Sequence, residues 1–215
     1  MAPRAKQERK VFKDLIRDAI YEDIIAGNLK PGDRIVEMEW ADAFSSSQAP
    51  VREAIRDLEG RGVLESVPFK GSFVRTMGRK DLDDIHAIRS GLETVALNRM
   101  IREASAEQIQ ALKNILDDMK KAAEQEDSEM FIQLDIAFHE YIVDAVNMRD
   151  LKRMWEMCNI RLWTAYGTRY SKKELIDLAR NHEKIYQKVA TKDSDNIYEI
   201  VEDHFAEVSE SLKES

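Results

Sequence analysis

Apolar positions recur at helical spacing over most of this chain, and the interruptions to that spacing divide it in two. In residues 9–26, Phe12, Leu15, Ile16, Ala19, Ile20 and Ile24 fall on one helix face, and Gly27 follows as a stop. A turn, LKPGDRI, separates this run from a short second helix over 37–44 that carries Met38, Trp40 and Ala41. SSSQAPVREAIRDLEGRGVL, residues 45–64, places Val51, Ala54, Ile55 and Leu58 on an inward stripe. Ser47 is its predicted N-cap, Pro50 is tolerated in the first turn, and Gly60 and Gly62 end it. VLESV and SFVRT then read as two strands joined by PFKG, a hairpin. From residue 80 onward the helical period is continuous. It predicts about six helices, over 81–103, 105–124, 127–146, 149–168, 172–190 and 194–213, with Asp127 or Ser128 capping the third.

Six of the eight glycines and all four prolines lie in the first 80 residues, so turns concentrate there. The fold expected is an N-terminal winged helix-turn-helix (α+β), residues 1–78, joined to a C-terminal all-α bundle, residues 79–215, whose short connections favour antiparallel neighbours.

In a winged helix-turn-helix, the helix after the turn enters the DNA major groove and its first residues meet base edges. Gln48, Arg52 and Arg56 recur every four residues on a face away from the apolar stripe. Glutamine pairs bidentately with adenine and arginine with guanine. Lys70 and Gly71 at the hairpin tip are placed to reach phosphate or the minor groove, and Arg34 joins this DNA-contacting set. Charges at this spacing also occur on ordinary solvated helices, so the pattern alone leaves both readings open.

Charge sharpens the division. The formal net charge is -8, yet residues 1–80 hold 15 Lys+Arg against 13 Asp+Glu, while residues 81–215 hold 18 against 28. A slightly basic end joined to an acidic remainder fits a polyanion-binding unit attached to something else. No run of about 18 apolar residues suggests a membrane span, no apolar segment follows the basic N-terminus as in a secretory signal, and Cys158 is alone. These features predict a cytoplasmic protein.

The histidines carry the most chemistry. Asp135 and His139 share a face with Ile132, Ile142, Val143 and Val146; His182 falls among Leu178, Ile185 and Val189; His204 falls among Ile197, Val201 and Val208. Burying such groups singly costs about 1–3 kcal/mol each unless they find partners. One aspartate and three histidines on inward faces form a ligand set for a divalent metal: Zn or Ni first, then Mn or Fe. Hydrogen-bonded core histidines are the plainer alternative. Arg89 also interrupts an apolar stripe, with Leu82, Ile85, Leu92 and Ala96, and a buried guanidinium calls for a carboxylate or phosphate. Glu93 offers an intrahelical partner, and a bound anion offers another. Arg161, beside Met154, Cys158 and Ala165, poses the same question more weakly, and His86 is placed at the surface or a pocket edge.

GNLKPGDRIVE, SSSQAPVREAIRDLEGRGVLE and VPFKGSFV together resemble the DNA-binding domain of GntR-type bacterial transcription regulators. RSGLE, DIAFHEYI, NHEKI and EDHF resemble the FCD effector domain of the FadR subfamily, and a six-helix count sits nearest its VanR-like branch. The resemblance spans residues 10–213. It implies operator contacts from Ser47, Gln48 and Arg52 and from Lys70 and Gly71 in the wing. It implies a divalent metal on Asp135, His139, His182 and His204, with a small carboxylate effector docked on it beside Arg89. It further implies a homodimer reading a palindromic operator in double-stranded DNA. The chain departs from the family at Gln48, where arginine is common, which points to adenine, and at Met38 and His86.

Two other function classes compete. A metal-dependent enzyme of the helical-bundle type would use the same ligands, but His139-Glu140 lacks the second histidine of H-E-x-x-H because position 143 is Val. No nucleophile or general base accompanies the set, so no enzymatic activity is expected. A scaffold that has lost DNA binding is opposed by Arg52 and the wing.

Overall fold

The computed structural model describes residues 3–211, with side chains from Val11 onward, and the chain divides into two compact units, Met1–Met77 and Gly78–Ser215. The N-terminal unit contains α1 (Pro3–Ala26), β1 (Arg34–Ile35), α2 (Glu37–Ala43), α3 (Gln48–Gly60), β2 (Leu64–Val67) and β3 (Gly71–Val74). The expected helices and hairpin are present. The LKPGDRI turn also contributes a strand, because Arg34 and Ile35 pair antiparallel with Phe73 and Ser72 to give a sheet of order β1-β3-β2. Two residues are too few to show a period, and only the partner strand defines them.

The α3 stripe packs as its spacing dictates, with Val51, Ala54, Ile55 and Leu58 buried against Ile16, Ile20 and Ile24 of α1. Each of the valine, isoleucine and leucine side chains contributes about 1.5–3 kcal/mol on burial. The α1 stripe is narrower than expected: Phe12 and Leu15 are 36% and 52% exposed, and Ile25 is buried. Ser72 Oγ donates to Glu59 Oε1 at 2.7 Å, tying the hairpin to α3.

The C-terminal unit is helical among the described residues: α4 (Arg79–Glu103), α5 (Ala106–Glu124), α6 (Ser128–Ala145), α7 (Arg149–Met157), α8 (Ile160–Tyr170), α9 (Leu175–Ala190) and α10 (Ile197–Glu210). Seven helices stand where about six were expected. The run predicted as one helix over 149–168 breaks at Asn159, whose φ of 50° is left-handed, a conformation that asparagine tolerates better than most residues. The helix count therefore lends no support to the six-helix branch. No helix among the described residues is long and apolar enough to cross a membrane.

Asp127 caps α6, its Oδ1 accepting from Met130 N at 3.0 Å. Helix α6 lies at the centre of the unit, burying Phe131, Ile132, Ile136, Phe138, Ile142 and Val143, and α4, α5, α7 and α8 pack on it. Helix α8 approaches α10 closely at Gly167, where an added Cβ would lie 2.7 Å from Val208 Cγ1. Gly167→Ala is expected to destabilise this unit by about 1–3 kcal/mol through overpacking. Val208→Ala in the same chain should recover most of that loss; a urea-unfolding double-mutant cycle showing simple additivity would contradict the contact.

Candidate functional site

The first site is the exposed face of α3 with the wing. Gln48, Arg52 and Arg56 are exposed, because the same 3.6-residue period that buries Val51 and Ile55 turns them outward. Arg52 Nε donates to Glu37 Oε2 of α2 at 2.6 Å, and its Nη2 donates to Gln48 Oε1 at 2.9 Å. Both long side chains are thus held side by side at the helix start. Ser47 is at the N-cap but makes no capping bond through its hydroxyl. Lys70 and Gly71 are exposed at the hairpin tip, and Gly71 has a φ of 107°, outside the range comfortable for other residues. A Cβ at Gly71 would lie 3.4 Å from Arg34 Nε, so glycine also leaves room for that exposed guanidinium.

The second site is a buried polar cluster built from five helices. Asp135 and His139 come from α6, His182 from α9 and His204 from α10. His139, His182 and His204 each offer a ring nitrogen, all within 4.8 Å of one another. Asp135 Oδ1 lies 3.4 Å from both His139 Nε2 and His182 Nε2, and His204 Nε2 lies 3.2 Å from His139 Nε2. The four residues separated by up to 69 positions therefore meet at one point.

Their outer partners decide where the protons are. The 2.6 Å pairing of His139 Nδ1 with the Glu93 carboxylate, and the 2.9 Å pairing of His182 Nδ1 with Leu178 O, face acceptor oxygens, so both nitrogens donate. In the neutral rings both Nε2 atoms are then bare lone pairs. Burial pushes His139 and His204 below the ordinary histidine range, His204 well below, which disfavours the imidazolium forms. Burial works to raise the Asp135 carboxyl, but the charge that His182 and then His139 carry when protonated, with that of the Arg89 guanidinium, holds it below its ordinary value. In those neutral forms, lone pairs from two imidazoles and a carboxylate converge, and the 3.2 Å hydrogen bond to His139 Nε2 is donated by His204 Nε2. Among the described residues His182 Nε2 makes no hydrogen bond of good geometry, with Asp135 Oδ1 3.4 Å away.

Glu93 organises the wall behind this cluster. Its Oε1 accepts from Arg89 Nε at 3.1 Å and Trp155 Nε1 at 3.0 Å, while Oε2 faces His139. Burial works to raise the Glu93 carboxyl, but His139 and Arg89 outweigh it and hold it down to about 2. Arg89 Nη1 donates to Thr164 Oγ1 at 3.1 Å, its guanidinium lies 4.2 Å from the Phe205 ring centroid, and its Nη2 has no partner. Among the described residues four buried side-chain N or O atoms lack partners. Three of them, on Arg89, His182 and His204, belong to residues lining a single space of about 20 Å³, room for an ion or one water.

His86 lines the same space and is not at the surface. It is 5% exposed, bonded through Nδ1 to Ser209 Oγ at 2.8 Å and stacked on Phe205. Burial, then the Arg89 charge, lowers it to about 3, so it is neutral at physiological pH. Arg161, expected beside an effector, is exposed and does not line the space. From α8 it is Trp163, Thr164 and Thr168 that line the space.

Two family descriptions cover nearly all of this: bacterial regulatory proteins of the gntR family over residues 12–74, and the FCD domain over residues 84–207. The chain belongs to the GntR family, with an FCD domain. Among GntR relatives, the HTH-type transcriptional regulator YdhC of Bacillus subtilis (strain 168) is 34% identical over 88% of this chain and 86% of its own length. A D-xylose utilization operon transcriptional repressor of Paenarthrobacter nicotinovorans is 33% identical over 82% of this chain and 78% of its own. A solved GntR regulator from Rhodococcus sp. RHA1 shares the fold at a TM-score of 0.77 and 18% identity, covering 94% of this chain and 99% of that one. This GntR protein is a DNA-binding transcriptional regulator, as its relatives are, and not an enzyme.

Reading the GntR sequence alone missed Thr164, Thr168, Trp155 and Trp163, and gave Glu93 only its pairing with Arg89. Polar residues in α8 carry a weak signal, because Thr and Trp sit in apolar stripes without conflict.

Proposed function

We propose that this regulator binds a divalent cation at Asp135, His139, His182 and His204, and that a small carboxylate docked there sets its affinity for a palindromic operator. The observation that carries this reading is the convergence of unprotonated lone pairs, with His182 Nε2 left bare while its other nitrogen is anchored. Three nitrogens and one oxygen suit Zn or Ni, and also Mn or Fe. A bound cation would supply the positive charge that these lone pairs lack and open positions for an anion. Glu93 keeps the His139 tautomer, Leu178 O keeps that of His182, and Arg89 Nη2 offers an N–H to the carboxylate.

A space of about 20 Å³ is too small for an organic acid, so docking one has to displace lining side chains. That displacement favours one arrangement of the regulator over another. An effector shifts operator affinity only through such a difference, typically worth about 1–3 kcal/mol. A homodimer is supported by exposed apolar residues on two helices that touch, Ile88 and Val95 of α4 with Met154 and Met157 of α7. Action as a repressor is supported by the name of the D-xylose operon relative.

On the DNA side, Gln48 and Arg52 read bases, helped by Ser47 and Arg56, while Arg34, Lys70 and Gly71 approach the backbone or minor groove. Arg52→Ala is expected to weaken specific binding by about 1–3 kcal/mol and relax the preference at one base pair per half-site. Equal weakening on every sequence, read by fluorescence anisotropy against variant duplexes, would make Arg52 a phosphate contact instead. The cation reading is tested by elemental analysis and native mass spectrometry of the purified chain. One chelator-removable divalent metal per chain is the expected result; protein that neither retains nor takes up any metal would refute it.

A further inference from the structure

We propose that Phe69, at the tip of the wing, is a wedge that inserts into the minor groove of the operator between two stacked base pairs. Lys70 N donates to Val67 O at 3.0 Å, closing a four-residue turn with Pro68 second and Phe69 third. Proline suits the second position, but the third has a φ of 64° and calls for glycine or asparagine. A bulky residue there is held in a sparsely populated conformation.

Nothing among the described residues repays that strain. Phe69 is fully exposed, and its neighbours Pro68, Lys70 and Gly71 are exposed as well. An aromatic ring carried outward on a strained turn, unpacked among the described residues, is an outlier of the kind that marks functional positions.

The surroundings name the partner. Lys70 is adjacent in the chain, and the Arg34 guanidinium lies against Gly71. An apolar tip flanked by cations matches a groove whose rims are phosphates and whose floor is the edges of stacked bases. Phenylalanine is among the side chains that unstack base steps from the minor groove. Flexible pyrimidine–purine steps yield to such a wedge most easily, so Phe69 adds a sequence preference at a position where it forms no hydrogen bond.

The test uses the full chain and a duplex selected from a random pool by the wild-type protein, with 2-aminopurine placed in turn at each step. Phe69→Gly and Phe69→Asn relieve the turn while removing the wedge. Both are expected to melt no lower than wild type and to bind the duplex at least tenfold more weakly. Phe69→Leu should retain most of the affinity. Wild-type binding should raise 2-aminopurine fluorescence at one step per half-site, and the glycine variant should not. Affinities of Phe69→Gly and Phe69→Asn within twofold of wild type would overturn the proposal. So would a weaker affinity accompanied by a lower melting temperature, which would assign Phe69 to the fold. Arg52→Ala on the same duplex shows that the assay registers a lost major-groove contact.

Discussion

Replacing Glu93 with alanine is expected to destabilise the helical unit by about 3–5 kcal/mol, the cost of leaving a buried charge without its partner. Arg89, 2% exposed, would lose the carboxylate at its Nε, and the Trp155 indole would lose its acceptor. Thermal unfolding followed by calorimetry measures this directly, and a loss under about 1 kcal/mol would mean that water replaces the carboxylate. Glu93→Gln separates stability from tautomer control. Its amide has only one acceptor oxygen for Arg89 and Trp155, and its NH₂ group would face His139 Nδ1. That nitrogen would then accept, moving the ring proton to Nε2, where it points at Asp135 and blocks a ligand position. Metal affinity should therefore fall in Glu93→Gln by more than the remaining stability explains. The acid dependence has a definite sign. Glu93 is depressed from 4.5 to about 2 in the folded chain, so its contribution is present above the unfolded value and is lost as pH falls towards 2. His86, depressed from 6.5 to about 3, acts in the same sense, its contribution intact above 6.5 and eroding as pH falls towards 3.

The second large effect is at His182. His182→Ala is expected to abolish metal binding and the effector response while leaving the N-terminal unit folded and able to bind operator. The side chain contributes the bare Nε2 and touches Phe138, His139 and His204 by its ring, so its loss also opens a small cavity. A cavity by itself lowers stability but leaves metal affinity to the other ligands. The decisive measurements are metal titration by calorimetry and operator titration by anisotropy, with and without members of a panel of small carboxylates. In wild type, metal saturation should raise the melting temperature, by about 4 kcal/mol of stabilisation at a thousandfold excess over Kd. A His182→Ala chain that binds metal as tightly as wild type and still answers the same carboxylate would defeat the metal-centred mechanism.

Much of this protein was legible before any coordinates. The α3 stripe of Val51, Ala54, Ile55 and Leu58 and the outward Gln48, Arg52 and Arg56 follow from one helical period, because burial on one face dictates exposure on the other. Asp135, His139, His182 and His204 were visible as polar interruptions of apolar stripes, and the core that buries the stripes necessarily gathers them. Other features belonged to the tertiary structure. Strand β1 exists only through its pairing with β3, and two residues have no period of their own. The break at Asn159 depended on a single left-handed residue, and the depth at which α8 meets the other helices left Arg161 exposed while Thr164 and Thr168 line the cavity. Proton positions on His139 and His182 were set by Glu93 and Leu178 O, and whether a ring nitrogen is bare depends on what faces its other nitrogen across the core. Local periodicity determined which faces turn inward; only packing decided which of their atoms met and which were left without a partner.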